Sequence, residues 1–170
     1  MRIVLTTIAL LLVTISAAAG PNEEMRKLDF LIGEWEGEAT VRMGGQTHHV
    51  LQFEKVQSKL DGKVLLIEGL GRQKGEDGAA GEVVHNAMAV VSWDESRKLH
   101  RFATWLSNRE GGEMTLRVTG KNEAVWQTPD GRMRYTIRLD DEGRWYETGE
   151  FTRDGEKWEP FIEMLLSKVR

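Results

Sequence analysis

From Gly33 to the C-terminus the chain alternates apolar and polar residues with a period of two, and short turn sequences interrupt the alternation at regular intervals. Trp35, Gly37, Ala39 and Val41 alternate with Glu34, Glu36, Glu38, Thr40 and Arg42; Met114, Leu116 and Val118 alternate with Thr115, Arg117 and Thr119; Met133, Tyr135, Ile137 and Leu139 alternate with Arg132, Arg134, Thr136 and Arg138. Residues two apart share a face only in an extended chain, so each run presents one apolar and one polar side. Between the runs lie Gly44-Gly45, Asp61-Gly62, residues 94–98, residues 108–113, Pro129-Asp130-Gly131, residues 140–143 and Asp154-Gly155. These are residue types that tolerate left-handed backbone or preset a turn. The pattern predicts about eight to ten strands. Further strands are expected over residues 46–56, 63–70, 83–93, 99–107, 124–127, 144–152 and 158–169. Within the last of these, residues 161–166 have a helical turn as their alternative, and residues 73–82 (QKGEDGAAGE) read as the one long flexible loop.

Successive strands joined by short turns make an up-and-down antiparallel meander. Closing it into a barrel removes both edges, which otherwise template aggregation. A sandwich needs longer cross-connections, and only residues 73–82 could serve. The expected fold is therefore all-β, an antiparallel up-and-down β-barrel in one domain spanning residues 20–170. Residues 21–32 read as one short helix in front of it. Pro21 stands early, Glu23 and Glu24 fall in the first turn and Gly33 follows the end. Met25, Leu28 and Leu31 or Ile32 form its apolar stripe.

Residues 1–19 carry Arg2, an apolar run from Ile3 to Ile15, and the small residues Ser16-Ala17-Ala18-Ala19. This is the three-part pattern of a cleavable secretory signal peptide. The apolar run is shorter than the ~20 residues a membrane span needs, and no later stretch is long and apolar enough, so no membrane span is expected after cleavage. Removing residues 1–19 takes away Arg2 alone, leaving 22 basic against 27 acidic residues. That balance argues against a nucleic-acid partner, which calls for concentrated positive charge. Export without a single cysteine fits a bacterial periplasm or exterior.

The segment from Leu28 to Ala39 (LDFLIGEWEGEA) resembles the opening of calycin-type barrels. Lipocalins and nitrobindins begin with a similar G-x-W or G-x-W-x-G after a short helix; here the matching residues are Gly33, Trp35 and Gly37. The resemblance implies that the Trp closes the barrel floor and the Gly lets the chain bend. Asp61-Gly62-Lys63, Glu68-Gly69, Gly71 and Trp93-Asp94 also resemble a bacterial family of exported, lipocalin-like domains that has no settled function. Nitrobindins bind haem through a histidine near the end of the barrel. Residues 158–170 contain none, and Met164 is their only soft donor, so haem is not carried over and no cofactor is expected.

The candidate binding residues follow from facing and chemistry. Trp35, Trp105 and Trp126 belong to a set of six tryptophans that either fill a small barrel or line its cavity. Met133, Tyr135 and Ile137 share one strand face. Glu68 interrupts an apolar run, and a buried carboxylate there would have a raised pKa; the alternative is a solvent-facing side chain. His85 shares parity with Ala87, Ala89, Val91 and Trp93. The inward parity of residues 46–56 and 83–93 is left open by their mixed faces. No metal site is expected, since His48, His49, His85 and His100 show no ligand spacing. The row Arg132, Arg134 and Arg138, with Arg117, reads as a solvated face or an anion patch. Enzyme motifs such as G-x-S-x-G, the P-loop and H-E-x-x-H are absent. The expected function is that of a carrier or sensor for a small apolar or amphipathic ligand, as a monomer or homodimer. The alternatives are a filled barrel acting as an interaction module, and an enzyme using a pocket Glu or His.

Overall fold

The computed structural model describes residues 21–108 and 110–170. The expected signal peptide lies outside the described residues. Ten strands follow the N-terminal helix α1 (Pro21–Arg26) and a single 3-10 turn (Asp29–Leu31): β1 (Gly33–Met43), β2 (Gln46–Lys59), β3 (Val64–Lys74), β4 (Ala80–Asp94), β5 (Leu99–Leu106), β6 (Gly112–Gly120), β7 (Glu123–Gln127), β8 (Met133–Leu139), β9 (Trp145–Thr152) and β10 (Trp158–Lys168). Each strand pairs antiparallel with the next, and β1 pairs with β10 to close the ring. The barrel is thus the up-and-down meander that the alternation predicts.

Three local expectations change. The single helix over 21–32 is instead α1 followed by the separate 3-10 turn, which lets Leu28 and Leu31 both bury against the barrel end. The long loop at 73–82 shrinks to residues 75–79, because β3 and β4 continue their ladder as far as Lys74 and Ala80. Residues 161–166 are strand, entered through a register shift between Pro160 and Ile162, where the proline has no N–H to give the ladder.

The seam between β1 and β10 depends on Gly37. It pairs with Leu166, and a Cβ placed there would lie 2.1 Å from the Leu165 carbonyl oxygen. No side chain fits between the two backbones at that point.

One end of the barrel is closed. Met25, Leu28 and Leu31 are at most 2% exposed there, packed with Trp35, Leu166 and other core residues. The Trp35 ring meets Trp145 edge-on, with centroids 5.7 Å apart. His100, also buried, donates from Nε2 to the Glu24 carbonyl at 3.1 Å and so ties α1 to the start of β5. The G-x-W-x-G segment therefore supplies a floor tryptophan at Trp35 and, at Gly37, the glycine that the close approach of β10 requires. The five hairpins β1–β2, β3–β4, β5–β6, β7–β8 and β9–β10 gather at the opposite end. Among the described residues no helix is long and apolar enough to cross a membrane.

Candidate functional site

Burial along the inward-facing residues runs in a gradient. Toward the closed end Val91, Leu116, Ala124, Ile137, Trp145 and Leu166 are buried. Toward the hairpin end of the same strands, His85, Met114, Trp126, Tyr135, Phe151 and Ile162 keep intermediate exposure. These side chains share a face with the core, so they line the hairpin-end mouth of a ring that is packed at its floor.

One wall of this space is aromatic. Trp126 and Tyr135, paired across β7 and β8, stack with centroids 3.7 Å apart and planes 11° from parallel. Phe102 stacks on the other side of Trp126 at 5.3 Å, and Phe161 meets Tyr135 edge-on at 5.4 Å. Phe161 then contacts Phe151 at 6.2 Å. Phe161 reaches this inner row because the shift after Pro160 rotates the start of β10.

The facing wall is polar. On β2, Gln52 and Glu54 are only 7% and 8% exposed, between Val50 and Val56 on the same inner face. Gln52 Nε2 donates to Glu54 Oε1 at 2.7 Å. Both carboxylate oxygens of Glu54 sit over Gly69 of β3, and Gln52 Oε1 sits over Gly71: added Cβ atoms would lie 2.8 and 2.6 Å from the nearest of these oxygens. The glycines make the room that the two polar side chains occupy. On β9, Glu147 faces inward between Trp145 and Gly149 and accepts from Trp145 Nε1 at 3.0 Å. Burial pushes Glu54 from 4.5 up to about 8, with the Glu147 charge adding to the rise and the Gln52 hydrogen bond opposing it. Burial likewise raises Glu147 to about 7 against the Trp145 hydrogen bond. Two interacting acids of this kind titrate as a pair. Among the described residues no Lys or Arg forms an ion pair with either.

Of the residues singled out from the sequence, Trp126, Met133, Tyr135 and His85 lie on the inner face toward the mouth. Trp35 and Ile137 also face inward but belong to the packed floor. Two lie elsewhere. Glu68 is exposed on the outer face of β3, because Leu65, Ile67, Gly69 and Gly71 take the inner parity. Trp105 is 51% exposed on the outside of β5, beside Met88 at 41%. It lines a rim depression of about 320 Å³ with Ala103, Thr104, Gly111, Gly112 and Glu113. His48 and His49 are both exposed near the start of β2. Among the described residues no group of three or more His, Cys, Asp or Glu is placed to hold a metal ion. The arginine row is engaged on the outer surface: Arg134 pairs with Glu150 at 2.8 Å and lies over Trp158 at 3.9 Å, and Arg138 lies over Tyr146.

The inward-facing acids Glu54 and Glu147 were not among the sequence candidates. Their one signal is parity, with Val50 and Val56 around Glu54 and with Trp145 around Glu147. It is masked on β2 because Leu51 and Phe53 make the outer face apolar too.

The architecture has a solved counterpart. The crystal structure of Rv2717c from M. tuberculosis is similar to this chain, with a TM-score of 0.62 over 86% of this chain and 98% of that one. At 13% identity the likeness is one of fold alone. No protein-family model and no curated protein sequence matches the chain. A closed barrel of this kind is compatible with binding a small ligand.

Proposed function

We propose that this protein is an exported carrier or sensor for a small amphipathic molecule held inside the barrel. The observation that carries the reading is the burial gradient: Trp126, Tyr135, Met133 and Phe151 face the interior of a closed ring yet stay partly exposed. A filled structural barrel would bury these large apolar groups, since each gains roughly 1.5–3 kcal/mol on full burial. An apolar body fits the aromatic wall, and a polar group fits the side held by Gln52, Glu54 and Glu147. Export rests on the pattern of residues 1–19, and a bacterial periplasm or exterior is the location proposed.

Native mass spectrometry of the mature chain, purified gently from its own host, tests the reading. A reproducible added mass that disappears on denaturation supports it and identifies the ligand. A bare mass, together with no thermal shift from any of a panel of fatty acids, retinoids and aromatic amines, overturns it.

A further inference from the structure

Resting on the carrier reading, we infer that the ligand is an organic cation, an amine or guanidine attached to an aromatic or apolar body. Three observations converge on this. Glu54 is more than nine-tenths buried on the inner face of β2, and the side-chain donor beside it is the neutral amide of Gln52. Glu147 faces the same interior from β9 and raises the Glu54 pKa by its charge. No Lys or Arg among the described residues pairs with either carboxylate, whereas the acidic residues of the outer surface are widely ion-paired, as Glu38 is with Lys74 and Glu150 with Arg134. A buried carboxylate without a counter-ion is costly, and the cost is relieved when a bound cation supplies the charge. The wall of Phe102, Trp126, Tyr135, Phe161 and Phe151 suits the rest of such a ligand. Aromatic faces attract cations, and the rings accept an apolar body. Once ionised, the same two acids would repel a fatty acid or other anion.

The inward titratable groups around the pair are few. β1 presents Trp35, Gly37 and Ala39, β3 presents Ile67 and Gly69, β8 presents Tyr135 and Ile137, and β10 presents Ile162 and Met164. His85 on β4 and the Tyr135 hydroxyl lie toward the mouth. The carboxylates that face this interior are Glu54 and Glu147.

The test compares three probes of nearly one size by calorimetric titration at about pH 8.5, where the raised carboxylates are largely ionised: phenethylammonium, neutral phenethyl alcohol and anionic phenylacetate. The protein is the mature chain, as wild type and as the double variant Glu54→Gln, Glu147→Gln. The wild type is expected to bind the cation at least about tenfold more tightly than the alcohol, and the anion more weakly than both. In the double variant the cation's advantage disappears while the alcohol still binds, which shows that the barrel is intact. Equal affinity for cation and alcohol, or an advantage that survives in the double variant, overturns the cation inference and leaves the carrier reading standing. If none of the three probes binds, the cation inference falls; the carrier reading falls with it only if the protein from its host also carries no added mass.

Discussion

Glu54 holds its carboxylate directly over Gly69, so that a Cβ on residue 69 would lie 2.8 Å from Oε1 and 2.9 Å from Oε2. The contact is with the far end of a flexible side chain, so the backbone need not move. Gly69→Ala is therefore expected to cost only about 1 kcal/mol of stability while displacing the carboxylate. Combining it with Glu54→Ala removes the clash, and the two changes should couple by at least ~0.5 kcal/mol in a double-mutant cycle. Denaturant titration of the four proteins measures this. Strict additivity would mean that the carboxylate does not occupy the space above residue 69.

The raised pKa of Glu54 makes stability fall with pH. In the unfolded chain this group ionises near 4.5, whereas in the barrel it stays protonated until about pH 8. Between those values the folded state binds more protons, so its stability declines as pH rises and levels off above the folded pKa. Glu147, raised to about 7, contributes in the same direction. Glu54→Gln keeps an acceptor for Gln52 Nε2 and removes the ionisation. The variant is expected to match wild type near pH 4 and to exceed it by on the order of 2–4 kcal/mol near pH 9. Urea titration at the two pH values checks the sign and the size.

The alternation of Trp35, Ala39 and Val41, or of Met133, Tyr135 and Ile137, is enough to set strand, facing and closure, because a one-residue slip would turn each apolar row to solvent. The interior acids are less legible for the same reason. On β2 both parities carry apolar residues, with Leu51 and Phe53 on one side and Val50 and Val56 on the other, so the facing of Glu54 stays open until the pairing with Gly69 is known. Glu68 poses the reverse problem. It interrupts an apolar run and draws attention, yet Gly69 and Gly71 occupy the inner positions that its neighbours Leu66 and Leu70 only suggest. Trp105 looks like cavity lining by residue type, and the parity of Phe102 places it outside.

That difference in facing gives a prediction for binding. Glu68→Gln and Trp105→Ala alter the outer surface and are expected to change the affinity for phenethylammonium by less than about twofold. Tyr135→Ala opens the stack with Trp126 and removes a wall of the interior, and it should weaken binding by about tenfold or more. Calorimetric titration on the three variants separates inside from outside. A large loss from Glu68→Gln with none from Tyr135→Ala would move the site to the outer face of β3.

The seam of the barrel should be far less forgiving than the space above Gly69. At Gly37 an added Cβ meets the Leu165 carbonyl oxygen at 2.1 Å and the Leu166 Cα at 2.9 Å, both backbone atoms. Gly37→Ala must push β1 away from β10 and is expected to cost about 2–4 kcal/mol. Amide hydrogen exchange should show the loss of protection concentrated at β1 and β10. Uniform loss across all ten strands would mean that the ring opens only as a whole.

The closed end has a pH response of the opposite sign. Burial lowers the pKa of His100 below 6.5, with the Glu24 carbonyl bond partly opposing the shift. The unfolded chain then takes up a proton near 6.5 that the folded chain resists, so the His100 contribution is complete above 6.5 and is lost as pH falls below it. Because His100 holds the Glu24 carbonyl, the loss should act first on α1 and the turn that follows it. Exchange protection at the Leu28, Leu31 and Ile32 amides, which bond to Met25, Leu28 and Asp29, is expected to weaken between about pH 7 and 5. His100→Gln retains a donor that does not titrate, and it should flatten that dependence while leaving the fall in global stability at high pH in place. An unchanged pH profile in His100→Gln would show that the helix is released by some other group.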